Sequence, residues 1–288
     1  MYTISTSFND YFQGEQKKYP QLKLKDVIRL KVSLTDEKEL PPVSDKYLIA
    51  FLHSCYYDVE AAKSTIKRYY KTCFTLPEIF CDIDPTSEPI RGAYECTSLC
   101  DLTFEQTDNK ECFLYWQFKN TDPQAYNCEA VLKYFLMFMD YKILHYGLFD
   151  GMNVIINCQG SKWRHVLNTP MNIMAELFKY MQKGIPVRIK TIHFINSGSI
   201  VDRFFGMLTP FIDKEIFNKI KFYPTVTDDF FNVVPINLFP VEAGGLGLSH
   251  NFLNDKMFEN VKSCREWYKE RNQQLQKQLF INKEKYMD

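Results

Sequence analysis

The chain has 288 residues, which is enough for one large domain or two smaller ones with a substantial core. Its 35 basic and 35 acidic residues cancel, so no excess of positive charge indicates nucleic-acid binding. Aromatic residues make up 16% of the chain, with 24 Phe and 18 Tyr among them. A large core or an internal cavity lined with rings would each explain this excess.

The N-terminal sequence MYTISTSFNDYFQG has no basic segment followed by an apolar one, so we expect no signal peptide. The most apolar long stretch, Val131 to Phe149, is interrupted by charged residues and is no candidate membrane span. Nine cysteines without a secretory context favour free thiols in a reducing compartment. The pair Cys96 and Cys100 lacks a second pair and a nearby His, so we expect no zinc and no cofactor. These features predict a cytoplasmic protein.

The first part of the chain has the pattern of short helices. Residues 1–42 are polar and contain helix-compatible patches. Ser44 and Asp45 then cap an apolar run, and Asp58 begins the segment VEAAKSTIKRYYKTC, whose lysines share one face. Short helices with short links predict a helical bundle up to about Phe80. The sequence DIDPTSEPIRG within residues 81–95 indicates a loop.

Strand patterns begin after this loop. Thr103 to Glu105 and Cys112 to Phe118 are predicted strands on either side of Thr107-Asp108-Asn109-Lys110, which has the composition of a turn. Ala125 to His145 has the spacing of a long helix, and Met152 to Cys158 that of a short buried strand.

A further helix is predicted from Pro170, with apolar residues at helical spacing up to Met181. The run Val187 to Ile195 is rich in β-branched and aromatic residues and predicts a strand buried on both faces. Strand, helix and strand in this order are typical of a right-handed crossover onto a parallel sheet.

Residues 199–208 form a predicted helix with more large apolar side chains than a surface helix needs. Beyond Pro210, isoleucines recur at every fourth position from Ile212 to Ile220 and lysines bring charge, which predicts a basic amphipathic helix. We interpret residues 184–222, which comprise the strand and these two helices, as the floor and the cover of a pocket. A short helix at Thr227, the turn-rich FPVEAGGLG and a charged C-terminal helix complete the chain.

Five segments in order carry a family resemblance: FLHSCYYDVEAAKSTIKRYY with PEIF, VIINCQG, GIPVRIKTIHFIN, LTPFIDKEIFNKI and FPVEAGG. The chain resembles the Sec14-like, or CRAL-TRIO, lipid-transfer proteins, especially the group containing alpha-tocopherol transfer protein and cellular retinaldehyde-binding protein. The resemblance implies an α/β fold in which a small N-terminal helical bundle precedes a mixed, mostly parallel sheet. Helices flank this sheet and enclose an apolar pocket. We expect a helical region at residues 1–92, a lipid-binding domain at 93–250 and a helical tail at 251–288.

Three positions depart from the family pattern. Asn157 stands where an acidic residue is common, His53 where Arg is common, and Gly198 replaces the Pro of the INxP turn. None of these changes removes the pocket. The group binds tocopherols, retinoids and phosphoinositides, so the resemblance alone does not name the ligand.

Candidate ligand-binding residues are apolar and come from the helices and strands that surround the expected pocket. For any one of them a place in the core is as good an explanation as a place in the pocket, except on the cover, where a gate needs exposable apolar side chains. The candidates are Phe135, Phe138, Met139, Ile156, Leu177, Met181, Val187, Ile189, Ile192 and, on the cover, Phe204, Phe205 and Leu208.

Arg188, Lys190 and Lys219 match positions at which the tocopherol-transfer group carries basic residues that bind phosphoinositide headgroups. A solvated strand end and helix face explain these cations equally well. His193 alternates onto the opposite face of its strand and is interpreted as a hydrogen-bonded core histidine.

The sequence lacks Gly-x-Ser-x-Gly, a Walker loop and H-E-x-x-H, and we expect no enzyme. The predicted function is an intracellular carrier that exchanges one small hydrophobic ligand, such as a tocopherol or a retinoid, with membranes by peripheral contact. A phosphatidylinositol or phosphoinositide transfer or sensor protein is one alternative. A regulatory interaction module without transfer is another.

Overall fold

A computed structural model of the chain describes residues 1–104 and 110–282. The predicted helical N-terminal region is confirmed, with α3 packed against its three neighbours α1, α2 and α4. The helices of this region are α1 (Phe8–Lys18), α2 (Leu24–Ser33), α3 (Asp45–Ser54), α4 (Val59–Thr75), α5 (Pro77–Phe80) and α6 (Glu88–Cys96).

Local sequence explains where α4 and α6 begin. The side chain of Asp58 accepts a hydrogen bond from the Ala61 backbone N–H at 2.9 Å and so caps α4. Helix α6 lies where the sequence indicated a loop, and that prediction is wrong. A proline in its first turn needs no N–H partner, and Ile90, Ala93 and Cys96 recur at helical spacing and are buried.

The rest of the chain builds one five-stranded sheet in the order β1-β2-β3-β4-β5. Strand β1 is antiparallel to β2, and each later neighbouring pair is parallel, which confirms the predicted mixed, mostly parallel sheet. The strands are β1 (Thr97–Asp101), β2 (Glu111–Phe118), β3 (Gly151–Asn157), β4 (Ile189–Ile195) and β5 (Ile220–Tyr223).

Helices connect and flank these strands. Helix α7 continues into a π-helical turn (Lys142–Tyr146), and the cover region contains a 3-10 turn (Thr209–Phe211). The helices are α7 (Cys128–Tyr141), α8 (Trp163–Leu167), α9 (Met171–Lys183), α10 (Ser199–Leu208), α11 (Lys214–Lys219), α12 (Asp228–Phe231), α13 (His250–Lys262) and α14 (Arg265–Ile281). Among the described helices, none is both long and apolar enough to cross a membrane.

One predicted strand and one predicted helix need correction. The strand expected at Thr103 lies earlier, at Thr97–Asp101, while Glu105 and residues 107–109 of the predicted turn lie outside the described residues. The helix expected up to Ile220 ends at Lys219, and Ile220 begins β5 by pairing with Ile192 of β4. Backbone pairing with the edge of β4 overrides the helical spacing of the isoleucines at that point.

A β-bulge in β4 sets which side chains face which layer. Met152 of β3 pairs with Ile189, whereas the next residue, Asn153, pairs with Thr191. Lys190 is therefore an extra residue in β4 and is exposed. Because of this insertion Ile189 and Ile192 lie on the same face of the sheet, although they are three positions apart in sequence.

Each face of the sheet is covered by a different part of the chain. One face carries Val154 and Ile192 and belongs to the large core shared with the N-terminal helices, α7 and α9. The opposite face carries Tyr115, Ile155 and Ile195 and packs against the segment after β5, which includes Phe230 and Phe239. Burial of both faces explains why apolar residues follow one another at 154–156 of β3 and 194–195 of β4.

Two buried histidines lie at these packed layers. His53 contacts the Phe149 carbonyl through Nε2 at 3.0 Å, and burial lowers its pKa from 6.5 to about 4. His193 contacts Thr191 Oγ1 through Nε2 at 2.7 Å, and burial lowers its pKa to about 4 as well. The predicted core position of His193 is thus confirmed, since the residue is fully buried.

These pKa shifts predict that the protein loses stability in mild acid. A histidine whose folded pKa is depressed stabilises the fold fully above its unfolded pKa of 6.5, and this contribution is lost as the pH falls toward 4. Each histidine would account for about 2 to 3 kcal/mol of lost unfolding free energy between pH 7.5 and pH 4.

Urea unfolding of the native chain and of His193→Asn at pH values from 7.5 to 4.5 measures this effect. We expect the variant to lose less unfolding free energy than the native chain over that interval. An identical pH dependence in the two proteins would contradict the assignment.

Candidate functional site

An apolar cavity of about 230 Å³ lies between the sheet and the helices α7, α9 and α10. Its walls are hydrocarbon apart from a few polar atoms. The lining residues are Leu114, Trp116, Tyr126, Cys128, Val131, Leu132, Phe135, Val154, Ile156, Thr169, Met174, Leu177, Phe178, Met181, Ile192, Phe194, Phe204 and Phe205.

The period-2 geometry of the strands supplies the floor of this cavity. Alternate side chains of β2, β3 and β4 point to one face, so each of these strands contributes two lining residues. Register places them side by side, with Leu114 beside Val154 and Val154 beside Ile192. The floor is therefore a block of aliphatic and aromatic side chains with no charge.

Helical spacing supplies the walls. Met174, Leu177, Phe178 and Met181 of α9 recur every three or four residues and all face the cavity. Helix α9 begins after Pro170 and so presents this stripe from its first turns. Two of the four are methionines, whose flexible thioethers adapt to ligands of different shape.

Helix α10 closes the cavity and is called the cover helix below. Its Phe205 is buried among three rings, with centroid distances of 4.7 Å to Phe194, 4.9 Å to Phe222 and 6.5 Å to Phe178. The neighbouring Phe204 is partly buried and also lines the cavity. The cover helix is thus held over the cavity by aromatic contacts.

Exposed apolar side chains also lie on the outside of this region, among charged ones such as Asp202 and Arg203. Four large side chains on the cover helix and the segment after it are between 39% and 44% exposed, and they are Met207, Phe211, Phe217 and Phe222. They lie in the same stretch of chain as Lys214 and Lys221, which are exposed as well. We call these four residues the outer apolar surface.

Seven of the twelve predicted ligand-binding residues line the cavity. The other five are buried but lie outside its lining: Phe138, Met139 and Leu208 belong to the core, while Val187 and Ile189 face a second pocket. Direct contact of any of the twelve with a ligand stays a prediction. The seven that line the cavity are Phe135, Ile156, Leu177, Met181, Ile192, Phe204 and Phe205.

The second pocket, of about 190 Å³, lies at the start of β4 and is more polar than the cavity. Arg188 and Lys219 line it, whereas Lys190 does not. The guanidinium of Arg188 donates to the His53 carbonyl and lies 3.9 Å from the ring centroid of Tyr56. The structure therefore brings two of the three predicted headgroup residues together.

The remaining contacts of these cations are with carboxylates. Lys219 donates to Glu215 at 2.9 Å, one helical turn earlier, and Glu215 also lines the second pocket. Lys190, on the bulge of β4, pairs with Glu111 at the start of β2. A headgroup role for Arg188, Lys190 and Lys219 stays a prediction.

Sequence reasoning missed the polar end of the cavity. Tyr126 and Cys128 precede or begin α7, and Thr169 precedes α9, so all three lay outside the apolar stripes. Tyr126 Oη lies 3.4 Å from Thr169 Oγ1, and burial raises the pKa of the Cys128 thiol. Phe194 and Val154 were also missed, although simple alternation from Ile192 and Ile156 would have found them.

Two family models match the chain. A Pinta-like, UBA domain matches residues 19–90, and a CRAL/TRIO domain matches residues 102–245. The chain belongs to the CRAL/TRIO domain family. The CRAL/TRIO match begins at the end of β1, continues beyond β5 and includes every residue that lines the cavity.

Relatives in mouse and human support the same assignment. The chain is 23% identical over 244 residues to the alpha-tocopherol transfer protein-like protein of Mus musculus, covering 80% of this chain and 67% of the relative. The Homo sapiens protein of the same name is 22% identical, with 80% and 68% covered. Among solved structures, that of Sfh5 is similar over 77% of this chain and 82% of its own, with 11% identity and a TM-score of 0.37.

Proposed function

We propose that this CRAL/TRIO protein is a carrier that binds one small hydrophobic ligand, of tocopherol or retinoid type, and exchanges it with membranes. The observation that carries the proposal is the cavity of about 230 Å³ with an uncharged lining between the sheet and the cover helix. Both relatives named above are called alpha-tocopherol transfer protein-like, which supports the same ligand class. The carrier works by partition of the ligand between two apolar environments, and no bond of the ligand changes.

The apolar walls are enough to give useful affinity. Removal of some 300 to 500 Å² of ligand surface from water at about 25 cal/mol per Å² yields roughly 7 to 12 kcal/mol before ordering costs. With this binding free energy, a cytoplasmic protein in peripheral contact with membranes holds a ligand that is insoluble in water.

Uptake from vesicles tests the carrier and its site. Native protein incubated with phosphatidylcholine vesicles containing tocopherol or retinol, then separated from them, should hold about one ligand per chain. Ile192→Phe adds a ring at the floor of the cavity, and we expect it to reduce uptake at least tenfold because the larger side chain fills the ligand's space.

Thermal unfolding is the control for Ile192→Phe. A melting temperature near that of the native chain shows that the cavity accommodates the ring. If the native protein takes up neither tocopherol nor retinol nor phosphatidylinositol from vesicles, the carrier function is refuted. A docking module without transfer is then favoured.

The cover helix provides a route for the ligand. In water, exposure of Phe204, Phe205 and Leu208 would cost roughly 5 kcal/mol, which keeps the cover helix on the cavity. At a bilayer the same side chains can bury among acyl chains, and Lys214 and Lys221 can remain near the headgroups. The membrane thereby favours the open state through contacts that only this state makes.

This mechanism predicts that the outer apolar surface directs the cover helix to the bilayer. We expect Phe211→Asp with Phe217→Asp to slow fluorescent-ligand transfer from vesicles at least tenfold, since two charges would have to enter the interface. Both side chains are exposed, so the fold and the affinity for ligand added in detergent should not change.

Leu167→Asp is the matched control, because Leu167 is 65% exposed but lies on α8, outside the cover region. It should transfer ligand at the native rate. Native transfer by the Phe211→Asp, Phe217→Asp variant would exclude this surface as the membrane contact.

A phosphatidylinositol or phosphoinositide transfer or sensor function is the second candidate, and the second pocket favours it. Arg188 and Lys219 converge there, and each cation near an anionic bilayer contributes about 1 kcal/mol. The carboxylate of Glu215 in the same pocket opposes an anionic headgroup. We therefore rank this function below the carrier.

Arg188→Ala with Lys219→Ala should weaken binding to vesicles containing phosphoinositide by about tenfold, and higher salt should have a similar effect. Lys190→Ala serves as the comparison, since Lys190 pairs with Glu111 and lies outside the pocket. Equal vesicle binding by the native protein and the double variant would contradict the proposed headgroup function.

A further inference from the structure

The few polar side chains of the cavity lining indicate where a bound ligand would have its polar group. No Asp, Glu, Lys, Arg or His occurs among the described residues that line the cavity. The side chains that can make hydrogen bonds there are Trp116, Tyr126 and Thr169, with Cys128 as a weaker partner. A ligand held here meets hydroxyl and N–H groups but no formal charge.

Tyr126 and Thr169 form the centre of this polar end. The Thr169 hydroxyl donates to the His165 carbonyl at 2.8 Å, which leaves the lone pairs of Thr169 Oγ1 as acceptors. Tyr126 Oη lies 3.4 Å from that oxygen, which is long for an O–H to O hydrogen bond. Its other side-chain hydrogen bond is to Cys128, whose thiol is a weaker partner than an oxygen, so the Tyr126 hydroxyl can turn to a closer ligand oxygen.

Trp116, which also lines the cavity, adds an unused donor. Its indole Nε1 is buried, and it has no hydrogen-bond partner in the described part of the chain. Trp116 and Tyr126 both line the cavity, and the rings of both contact Phe118, at centroid distances of 4.8 and 5.5 Å. A buried donor without an acceptor is unfavourable, and a ligand oxygen would relieve that penalty.

We propose that the cavity selects lipids whose apolar body carries one uncharged oxygen function, a hydroxyl or a carbonyl, which binds at Tyr126, Thr169 and Trp116. This inference rests on the proposed carrier function and narrows its ligand class. A hydroxyl suits the end best, because it can donate to Thr169 Oγ1 and accept from Tyr126 or Trp116.

The same lining rejects ligands with an ionised end. A carboxylate or phosphate in the cavity would be desolvated without a cation to pair with, which disfavours the charged form strongly. Pure hydrocarbons fit the walls but leave the polar end without a new partner. The alcohol is therefore preferred over the acid for electrostatic reasons and over the hydrocarbon for hydrogen-bonding reasons.

A competition experiment with matched head groups tests the selection. Phosphatidylcholine vesicles are doped with equal amounts of retinol, deoxyretinol and retinoic acid, or of phytol, phytane and phytanic acid. Full-length protein is incubated with the vesicles and isolated, and mass spectrometry counts the bound molecules. We expect the alcohol of each skeleton to exceed its hydrocarbon and its acid by about tenfold or more.

Tyr126→Phe and Thr169→Val assign the preference to the polar end. Each should lower alcohol uptake severalfold and leave hydrocarbon uptake within about twofold of native, so the preference shrinks. Tyr94→Phe is the matched control, since its hydroxyl binds Asp255 at 2.7 Å outside the cavity, and it should keep the native preference.

The outcomes separate this inference from the carrier function. Equal uptake of alcohol and hydrocarbon, or greater uptake of the acid, overturns the inference while the carrier function stands. A full native preference in folded Tyr126→Phe and Thr169→Val chains also overturns it. Failure of the native protein to take up any of the six compounds would refute both proposals.

Discussion

The pairing of β3 with β4 is the interaction on which the rest of the structure depends. These two parallel strands form the middle of the sheet, and the bulge at Lys190 sets their register. With that register Val154, Ile156, Ile192 and Phe194 share one face and form the cavity floor. A shift of β4 by one residue would turn Ile192 and Phe194 to the layer of Phe230 and place His193 in the floor instead.

The inside of the cavity is uncharged in the described part of the chain, whereas cations lie at the second pocket outside it. Inside, the described lining is uncharged and its few polar atoms gather near Tyr126 and Thr169. Outside, cations such as Arg188 and Lys219 lie at the second pocket, close to the end of the cavity that contains Met181. Met181 lines both spaces. The uncharged cavity and the second pocket with its two cations are therefore separate but neighbouring parts of the structure.

Much of the fold could be predicted because strong local patterns coincide with the elements. Asp58 caps α4, Pro170 precedes α9, and the β-branched and aromatic residues of β4 mark a strand covered on both sides. Elements that depend on distant partners were missed. Strand β5 exists because Ile220 pairs with Ile192, and α6 buries Ile90 against the core, neither of which a local window reveals.

The sequence by itself determined the order of most elements, the β-branched and aromatic character of the central strands and the membership in a lipid-binding family, since these follow from residue type and spacing. Only the tertiary structure decided which apolar residues enclose a cavity. Phe138 and Phe135 lie on one helix at helical spacing, yet Phe138 is fully buried in the core and Phe135 lines the cavity. The polar end was equally out of reach, because Tyr126 and Thr169 are 43 residues apart and meet only when the starts of α7 and α9 converge. Hydrophobicity selects what is buried, but the packing of particular elements decides where space remains.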